Sequence, residues 1–276
     1  MSTPPKLGIV AGGGPLPARL VATCRAQGRP LFVLALSGHA DAALLADAPQ
    51  AWIRMGEAGK GMEILHDHAV EEVVMAGPVR RPTLRDLRPD WRTARFFARI
   101  GLKALGDDGL LKAVIAELEG EGFRVVGLHS ILGDLLAEAG PWGAVQPDDQ
   151  AWSDIRRGAE VVRGLGRLDV GQAVVVQQGI VLAVEAVEGT DAMLRRSGEL
   201  KREGVGGVMV KLAKPGQERR VDLPTIGVGT VAGCAAAGLR GIAVEAGSTL
   251  VVDRPAVIAA ADAAGLFLCG IAAEGP

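Results

Sequence analysis

A short apolar run that ends at glycines and leads into a helical pattern is the feature that most restricts the fold of this chain. The run LGIVA (7–11) stops at three glycines, and the segment 16–28 then has helical spacing and ends at a glycine. A second apolar run follows at 30–38, and similar patterns continue to residue 140. Short buried strands separated by helices are typical of a parallel sheet with helices on both faces.

The second half of the chain has a different pattern. Two apolar runs flank Gln178-Gly179 and predict a β-hairpin, and further strands and helical segments follow it. A stretch rich in Gly, Pro and Asp between the two halves indicates a boundary. We therefore predict an α/β protein with an N-terminal Rossmann-like parallel-sheet domain (1–140) that binds nucleotide or substrate. A C-terminal catalytic α/β domain with a mixed sheet (141–276) would follow it.

The composition argues against several classes of protein. The chain has 276 residues, 49% of them apolar, and a net charge of −2, so neither disorder nor a nucleic-acid partner is expected. The cysteines Cys24, Cys234 and Cys269 are far apart and form no CxxC pair, so we expect reduced thiols. The first residues lack the pattern of a signal peptide, and no run of about 18 apolar residues follows. These features predict a soluble, cytoplasmic protein.

The glycine-rich turn at 12–15 lies between the first predicted strand and the first helix, where α/β sheets bind phosphate. Backbone N–H groups and the helix N-terminus attract an anion there, and glycine lets a ligand approach closely. The dinucleotide-binding pattern is met only in part, because Pro17 replaces its third glycine and Ser37 stands where an acid would hold the ribose. We expect an anion site without a hydride-transfer cofactor; the alternative is a tight turn that binds nothing.

Several carboxylates lie at the end of the second hairpin strand. Glu185 stands among small apolar residues and therefore needs a partner. Glu188 and Asp191 follow it, and Thr190 is placed to cap the next helix. Strand-to-helix corners are common locations for catalytic groups. The alternative is a structural corner in which Thr190 caps the helix and an acid pairs with one of the two following arginines.

Charged residues continue into the next segment of the second half. Lys211 ends a predicted strand, and Arg219 and Asp222 follow a turn. In an extended chain Arg220 and Asp222 would face the same way, and glycines before Thr230 predict a second anion site. Lysine and arginine hold phosphate oxygens, and carboxylates hold Mg²⁺, so the density of these groups favours phosphoryl transfer. The alternative is a surface ion-pair network.

Basic residues recur with helical spacing along one stripe of a predicted helix: Arg88, Arg92, Arg95, Arg99 and Lys103. Such a stripe is consistent with a solvated helix face. It is also consistent with contact to an anionic surface, either membrane headgroups or a partner. Nucleic acid is disfavoured because the patch is small.

Several segments together resemble one known family: VAGGGPLP (10–17), GDDGLL (106–111), LDVGQAVVVQQG (168–179), VEAVEGTDAMLRR (184–196) and VKLAKPGQERRVDLPTIGVGT (210–230). In this order, and over nearly the whole chain, they are similar to the UDP-2,3-diacylglucosamine pyrophosphatases of the LpxI type. The EGTD run and the Gln-x-x-Arg-x-Asp-Leu-Pro run are the most specific parts of the resemblance. One departure is Glu218, where the resemblance leads us to expect an aspartate.

The resemblance implies Mg²⁺-dependent hydrolysis of UDP-2,3-diacylglucosamine to UMP and 2,3-diacylglucosamine 1-phosphate. This is a step of lipid A biosynthesis at the cytoplasmic side of the inner membrane, and the ligand would lie between two domains. Asp222 is implied as the catalytic carboxylate, which binds Mg²⁺ or orients water, with Glu188 and Asp191 as further metal ligands. The residues implied to bind substrate are Gly12, Gly13, Gly14, Pro15, Gln178, Thr190, Lys211 and Arg219.

Other functions remain alternatives to a pyrophosphatase. One is a carrier that binds a nucleotide or lipid without catalysis, and another is a transferase on a nucleotide-linked substrate with an acceptor other than water. The partners that we expect are a lipid-linked UDP-sugar and, as a further hypothesis, an anionic inner-membrane surface. The sequence leaves open whether the chain forms a homo-oligomer.

Overall fold

A computed structural model describes residues 4–80, 89–100 and 107–272 of the chain. The chain divides into two compact units. Unit one consists of residues 1–133 together with 218–222, and unit two consists of residues 134–217 and 223–276. No helix in the described part of the chain is long and apolar enough to cross a membrane.

Unit one is built around a five-stranded parallel sheet of order β3-β2-β1-β4-β5. Its strands are β1 (Leu7–Ala11), β2 (Leu31–Leu36), β3 (Gln50–Ile53), β4 (Glu72–Ala76) and β5 (Arg124–Val125). Its helices are α1 (Leu16–Ala26), α2 (Ala42–Leu45), α3 (Ala58–Asp67), α4 (Trp91–Ile100), α5 (Asp107–Gly120) and α6 (Leu128–Ile131). The strand order reverses between β1 and β4, which makes this edge the location where α/β sheets of this kind bind ligands.

Unit two contains a six-stranded mixed sheet of order β6-β13-β11-β9-β7-β8 and a small parallel pair, β10 and β12. Its strands are β6 (Gly140–Trp142), β7 (Ala173–Gln177), β8 (Ile180–Val184), β9 (Val208–Lys211), β10 (Thr225–Ile226), β11 (Gly241–Glu245), β12 (Leu250–Val251) and β13 (Phe267–Ile271). Its helices are α7 (Asp149–Arg167), α8 (Gly189–Glu199), α9 (Val228–Ala236) and α10 (Arg254–Ala263), and a 3₁₀ turn covers Gly133–Leu135.

The central strands of unit two are buried on both faces because their side chains alternate between two hydrophobic clusters. Val175 and Met209 point into one cluster, while Val174 and Val210 point into the other. Helices α8, α9 and α10 contribute to the first cluster, and α7 contributes to the second. Burying a valine or leucine fully contributes about 1.5–3 kcal/mol, so this two-sided packing accounts for much of the stability of unit two.

These observations confirm the predicted fold class, with a parallel sheet in the N-terminal part and a mixed sheet in the C-terminal part. The predicted hairpin is also confirmed, since β7 and β8 pair antiparallel around Gln178-Gly179. The extended conformation predicted around Arg220 is wrong. Both Val221 and Asp222 donate their backbone N–H groups to the carbonyl oxygen of Glu218, so this segment is a turn.

Candidate active site

In unit one, the predicted glycine turn lies at the carboxyl end of β1, directly beside the loop that follows β4. Gly12 N–H donates to the Ala76 carbonyl oxygen (2.8 Å) and Gly13 N–H donates to that of Pro78 (2.9 Å). These two N–H groups are therefore bonded to the last residue of β4 and to the loop that follows it, and do not point at a ligand. Gly14 (φ +74°) and Pro15 form the exposed part of the turn.

The close approach of the two loops requires glycine on both sides. A Cβ atom on Gly12 would lie 2.7 Å from the Gly77 carbonyl oxygen. A Cβ on Gly77 would lie only 2.1 Å from the carbonyl oxygen of Gly13. The glycines thus allow the backbone after β1 to lie directly against the backbone after β4, at the point where the strand order reverses. Sequence reasoning missed Gly77, although the apolar run of β4 followed by Gly-Pro repeats the signal of the first strand.

The segment 218–222 also belongs to unit one and carries Asp222. Glu218 accepts from Arg220 through two contacts, Nε to Oε1 (2.8 Å) and Nη2 to Oε2 (2.9 Å). The guanidinium of Arg220 also donates to Glu119 of α5 (2.5 Å). These hydrogen bonds from Arg220 lower the pKa of Glu218, and the same carboxylates raise the pKa of Arg220. Glu218 is therefore engaged in a forked ion pair, with Asp222 at the end of the same turn.

In unit two, three polar side chains meet near the carboxyl end of β9. Lys211 is the last residue of that strand, as predicted, and its Nζ donates to the Thr190 hydroxyl (2.9 Å). The Thr190 hydroxyl lies 2.5 Å from Oε1 of Glu185. Lys211 and Glu185 are 6% and 7% exposed, so a cation and a carboxylate are both buried in this part of unit two. The partner that Glu185 requires is thus Thr190, together with the backbone N–H of Gln172.

The strand-to-helix corner differs from its predicted form in one respect. Helix α8 has Glu188 as its N-cap residue, so the prediction that Thr190 caps the helix is wrong; Thr190 lies in the first turn. Glu188 forms an ion pair with Arg196 (2.6 Å), as the structural alternative predicted. The pKa of Glu188 is lowered by its own backbone N–H and by Arg196. Asp191 lies exposed in the first turn of α8.

Gln178 is separated from Lys211 by the length of a strand. Since β7 runs antiparallel to β9 and Ala173 pairs with Lys211, Gln178 follows the opposite end of β7. Its backbone N–H and that of Gly179 donate to the buried carboxylate of Asp154 at 3.1 and 2.7 Å. A substrate contact of Gln178 stays a prediction.

The predicted basic stripe is partly neutralised. Arg92 of α4 forms an ion pair with Glu121, just after the end of α5, and Arg99 forms one with Glu117 of α5. Arg95 lies over the ring of the exposed Trp91, 5.8 Å from its centroid. The two outer members of the stripe, Arg88 and Lys103, lie outside the described residues.

The carboxylates predicted to hold a metal are divided between the two units. Asp222 lies in unit one, whereas Glu188 and Asp191 lie in unit two. Among the residues that the structure describes, no three His, Cys, Asp or Glu side chains form a group that could hold a metal ion. Mg²⁺ is usually held by one or two carboxylates together with substrate phosphates, so the carboxylate donors fit it only in company with a substrate.

Together, the fold and these groups define a two-unit α/β protein that places a glycine turn and a buried lysine at the carboxyl ends of parallel strands. The sequence matches the family models described as LpxI N-terminal domain, over residues 6–135, and LpxI C-terminal domain, over residues 138–269. It is 46% identical over 273 residues to UDP-2,3-diacylglucosamine pyrophosphatase LpxI from Caulobacter vibrioides, a match that covers 96% of this chain and 97% of that protein. The chain belongs to the LpxI family, and the predicted resemblance is confirmed.

Proposed function

We propose that this chain hydrolyses the pyrophosphate bond of UDP-2,3-diacylglucosamine and releases UMP and 2,3-diacylglucosamine 1-phosphate, a step of lipid A biosynthesis. The observation that carries the proposal is the 46% identity, almost from end to end, with a pyrophosphatase for that substrate. In the reaction, water adds its oxygen to one phosphorus and the P–O bond to the bridging oxygen breaks. The bridging oxygen leaves with the other phosphate, and two protons are released when both phosphate monoesters are fully ionised.

Lys211 is the group that we assign to the charge of the pyrophosphate. Its ammonium is held near the carboxyl end of β9, the usual side for ligands in parallel sheets. A cation there stabilises negative charge that builds up on phosphate oxygens during the reaction. Arg219, in the exposed turn of unit one, and the exposed backbone of Gly14 and Pro15 are assigned to further substrate contacts.

Asp222 is the carboxylate that we assign to catalysis, as the group that orients or deprotonates the attacking water. Its backbone is fixed by the hydrogen bond from its N–H to the Glu218 carbonyl oxygen (3.0 Å). Both carboxylate oxygens of the neighbouring Glu218 accept from Arg220, so Glu218 is committed to the structure of the turn. A general base of this type contributes about 10²–10⁴-fold to a rate.

Mg²⁺ is proposed as the cofactor, with Asp222, Glu188 and Asp191 as its candidate protein ligands. When bound, it would neutralise charge on the pyrophosphate. Glu188 would have to exchange its ion pair with Arg196 for the cation, whereas Asp191 is exposed and could reach it directly. Asp191→Asn should therefore raise the Mg²⁺ concentration required for half-maximal rate more than Glu188→Gln does. If wild type and both variants require the same Mg²⁺ concentration for half-maximal rate, neither Glu188 nor Asp191 is a ligand of the metal.

The first experiment is incubation of the purified protein with UDP-2,3-diacylglucosamine, with Mg²⁺ or with EDTA, followed by measurement of UMP. Asp222→Asn keeps the size of the side chain and should lower kcat by about 10²-fold or more. Glu218→Gln, four residues earlier in the same turn, is the matched control and should retain far more activity. If folded wild-type protein releases no UMP, the pyrophosphatase proposal fails and a lipid or nucleotide carrier becomes the leading function.

Contact with an anionic membrane surface is a separate proposal for α4. The exposed Trp91 ring and the arginine stripe would face lipid headgroups at the cytoplasmic side of the inner membrane. Charge reversal of Arg92, Arg95 and Arg99 together should weaken binding to vesicles that contain anionic lipid. Arg156→Glu, at an exposed arginine of unit two, is the control. Unchanged vesicle binding would show that the stripe is only a solvated helix face.

A further inference from the structure

The lysine near the carboxyl end of β9 is unusual because it is buried together with a carboxylate. Lys211 is 6% exposed and Glu185 is 7% exposed. Removing two such charges from water costs several kcal/mol for each ion, and this cost is offset only when the geometry and the remaining hydrogen bonds are good. Apolar residues of similar size would avoid the cost, so the arrangement calls for a reason other than stability.

The chain of hydrogen bonds among these residues has one direction. The ammonium of Lys211 can only donate, so the Thr190 oxygen accepts from it at 2.9 Å. A hydroxyl has a single proton, and Thr190 places that proton on Glu185 Oε1 at 2.5 Å. The order is therefore lysine to threonine to glutamate. The Thr190 hydroxyl thus joins Glu185 to Lys211, and its predicted contact with the substrate stays a prediction.

The glutamate end of this chain is fixed by backbone contacts. Glu185 Oε2 accepts from Gln172 N–H (3.2 Å), and Glu185 N–H donates to the Ala173 carbonyl oxygen (2.8 Å). A Cβ on Gly171 would lie 2.0 Å from the Glu185 carbonyl oxygen, so the segment that leads into β7 lies directly against this residue. The carboxylate therefore has little freedom to move away from Thr190.

We propose that Glu185 and Thr190 are positioning residues that hold the Lys211 ammonium in the direction in which it meets a phosphate of the substrate. This inference rests on the proposed pyrophosphatase function. Lysine is a point charge on a flexible four-carbon stem, and it loses precision and rotamer entropy when nothing fixes it. Glu185 reaches the ammonium through the Thr190 hydroxyl, so the carboxylate orients Lys211 by way of this bridge.

Three substitutions test the chain of contacts. Thr190→Val keeps the shape and removes the bridge, Thr190→Ser keeps the hydroxyl, and Glu185→Gln keeps the size but removes the charge. Because a misplaced group costs up to about 10²-fold, we expect kcat/KM for UMP release to fall about 10- to 100-fold in Thr190→Val and Glu185→Gln. Thr190→Ser should recover most of the wild-type value. A Thr190→Val enzyme within about twofold of wild type, or a serine variant as impaired as the valine one, overturns the proposal.

Ser197 of α8 provides the matched control. Its buried hydroxyl donates to the Leu194 carbonyl oxygen (2.7 Å) in the same helix, so Ser197→Ala also removes a buried hydroxyl from α8. Its kcat/KM should be unchanged. If Ser197→Ala is as slow as Thr190→Val, the effect comes from loosening of the helix and the positioning role is rejected.

A second measurement separates this inference from the proposed function. Inorganic pyrophosphate is titrated into wild type, Thr190→Val and Ser197→Ala by calorimetry. We expect the Kd of Thr190→Val to rise about fivefold or more, since a misdirected ammonium loses its contact with the anion, and that of Ser197→Ala to stay unchanged. This result would support positioning even if wild type released no UMP, which would reject only the pyrophosphatase. Equal affinities for all three proteins, or no binding by wild type, would overturn the inference even if UMP were released.

Discussion

Substitution of Gly77 by alanine tests whether the two loops at the edge of the first sheet depend on direct backbone contact. Gly77 has φ +91°, and a Cβ there would lie 2.1 Å from the Gly13 carbonyl oxygen. Gly122, in the same unit, has φ +93°, and a Cβ there would have nothing within 4 Å, so Gly122→Ala is the control. Both variants carry the cost of placing alanine in an unfavourable backbone conformation, about 1–3 kcal/mol. The difference between their free energies of unfolding therefore measures the effect of the clash between the Cβ at position 77 and the Gly13 carbonyl oxygen.

The size of that difference follows from the hydrogen bonds that hold the loops together. To relieve the clash, the loops must separate, and the bonds from Gly12 N–H to Ala76 and from Gly13 N–H to Pro78 are lost. Each contributes about 1 kcal/mol. Gly77→Ala should therefore lower the free energy of unfolding by about 2 kcal/mol more than Gly122→Ala does.

Urea unfolding followed by fluorescence measures this difference. With a slope of about 2 kcal/mol per molar urea, the midpoint for Gly77→Ala should lie about 1 M below that of Gly122→Ala. Both residues belong to unit one, so they affect the same unfolding transition. Equal midpoints for the two variants would refute the reasoning, because the close approach of the loops would then carry no energetic weight.

Three further outcomes are expected. Burial raises the pKa of Cys234 to about 12 and that of Cys269 to about 11, so neither thiol should react with a disulfide reagent at pH 8 until the protein unfolds. Rapid reaction of these thiols in the native protein would contradict this prediction. The pKa of Glu218 is lowered by Arg220, so the contribution of this ion pair to stability is complete above the unfolded pKa of about 4.3 and is lost as pH falls through the folded pKa. Glu218→Gln should therefore reduce the loss of unfolding free energy at acidic pH, and an unchanged loss would exclude a contribution from the Glu218–Arg220 pair. Asp154→Ala should lower the free energy of unfolding, measured by thermal unfolding, by about 2–4 kcal/mol, because the N–H groups at the hairpin turn lose a buried acceptor. A loss below about 0.5 kcal/mol, which is typical of a surface site, would contradict that role.

Much of the architecture could be predicted from the sequence because its signals are local. Apolar runs of strand length, the glycines that end them and the Gln178-Gly179 turn each depend on neighbouring residues, and the structure contains these elements at those places. Lys211 at the end of its strand follows from the same periodicity. The segments that carry the family resemblance are also contiguous in sequence, and the family assignment is confirmed.

What only the tertiary structure decided depends on which strands and loops become neighbours. The sequence indicated that the glycine turn could attract an anion. Strand order placed β4 beside β1, so the N–H groups of Gly12 and Gly13 bond to the end of β4 and to the loop after it. The sequence assigned Thr190 to a helix cap, whereas the pairing of β7, β8 and β9 brought its hydroxyl between Glu185 and Lys211. Pairing between distant segments follows from the packing of the whole chain, and no local pattern of residues encodes it.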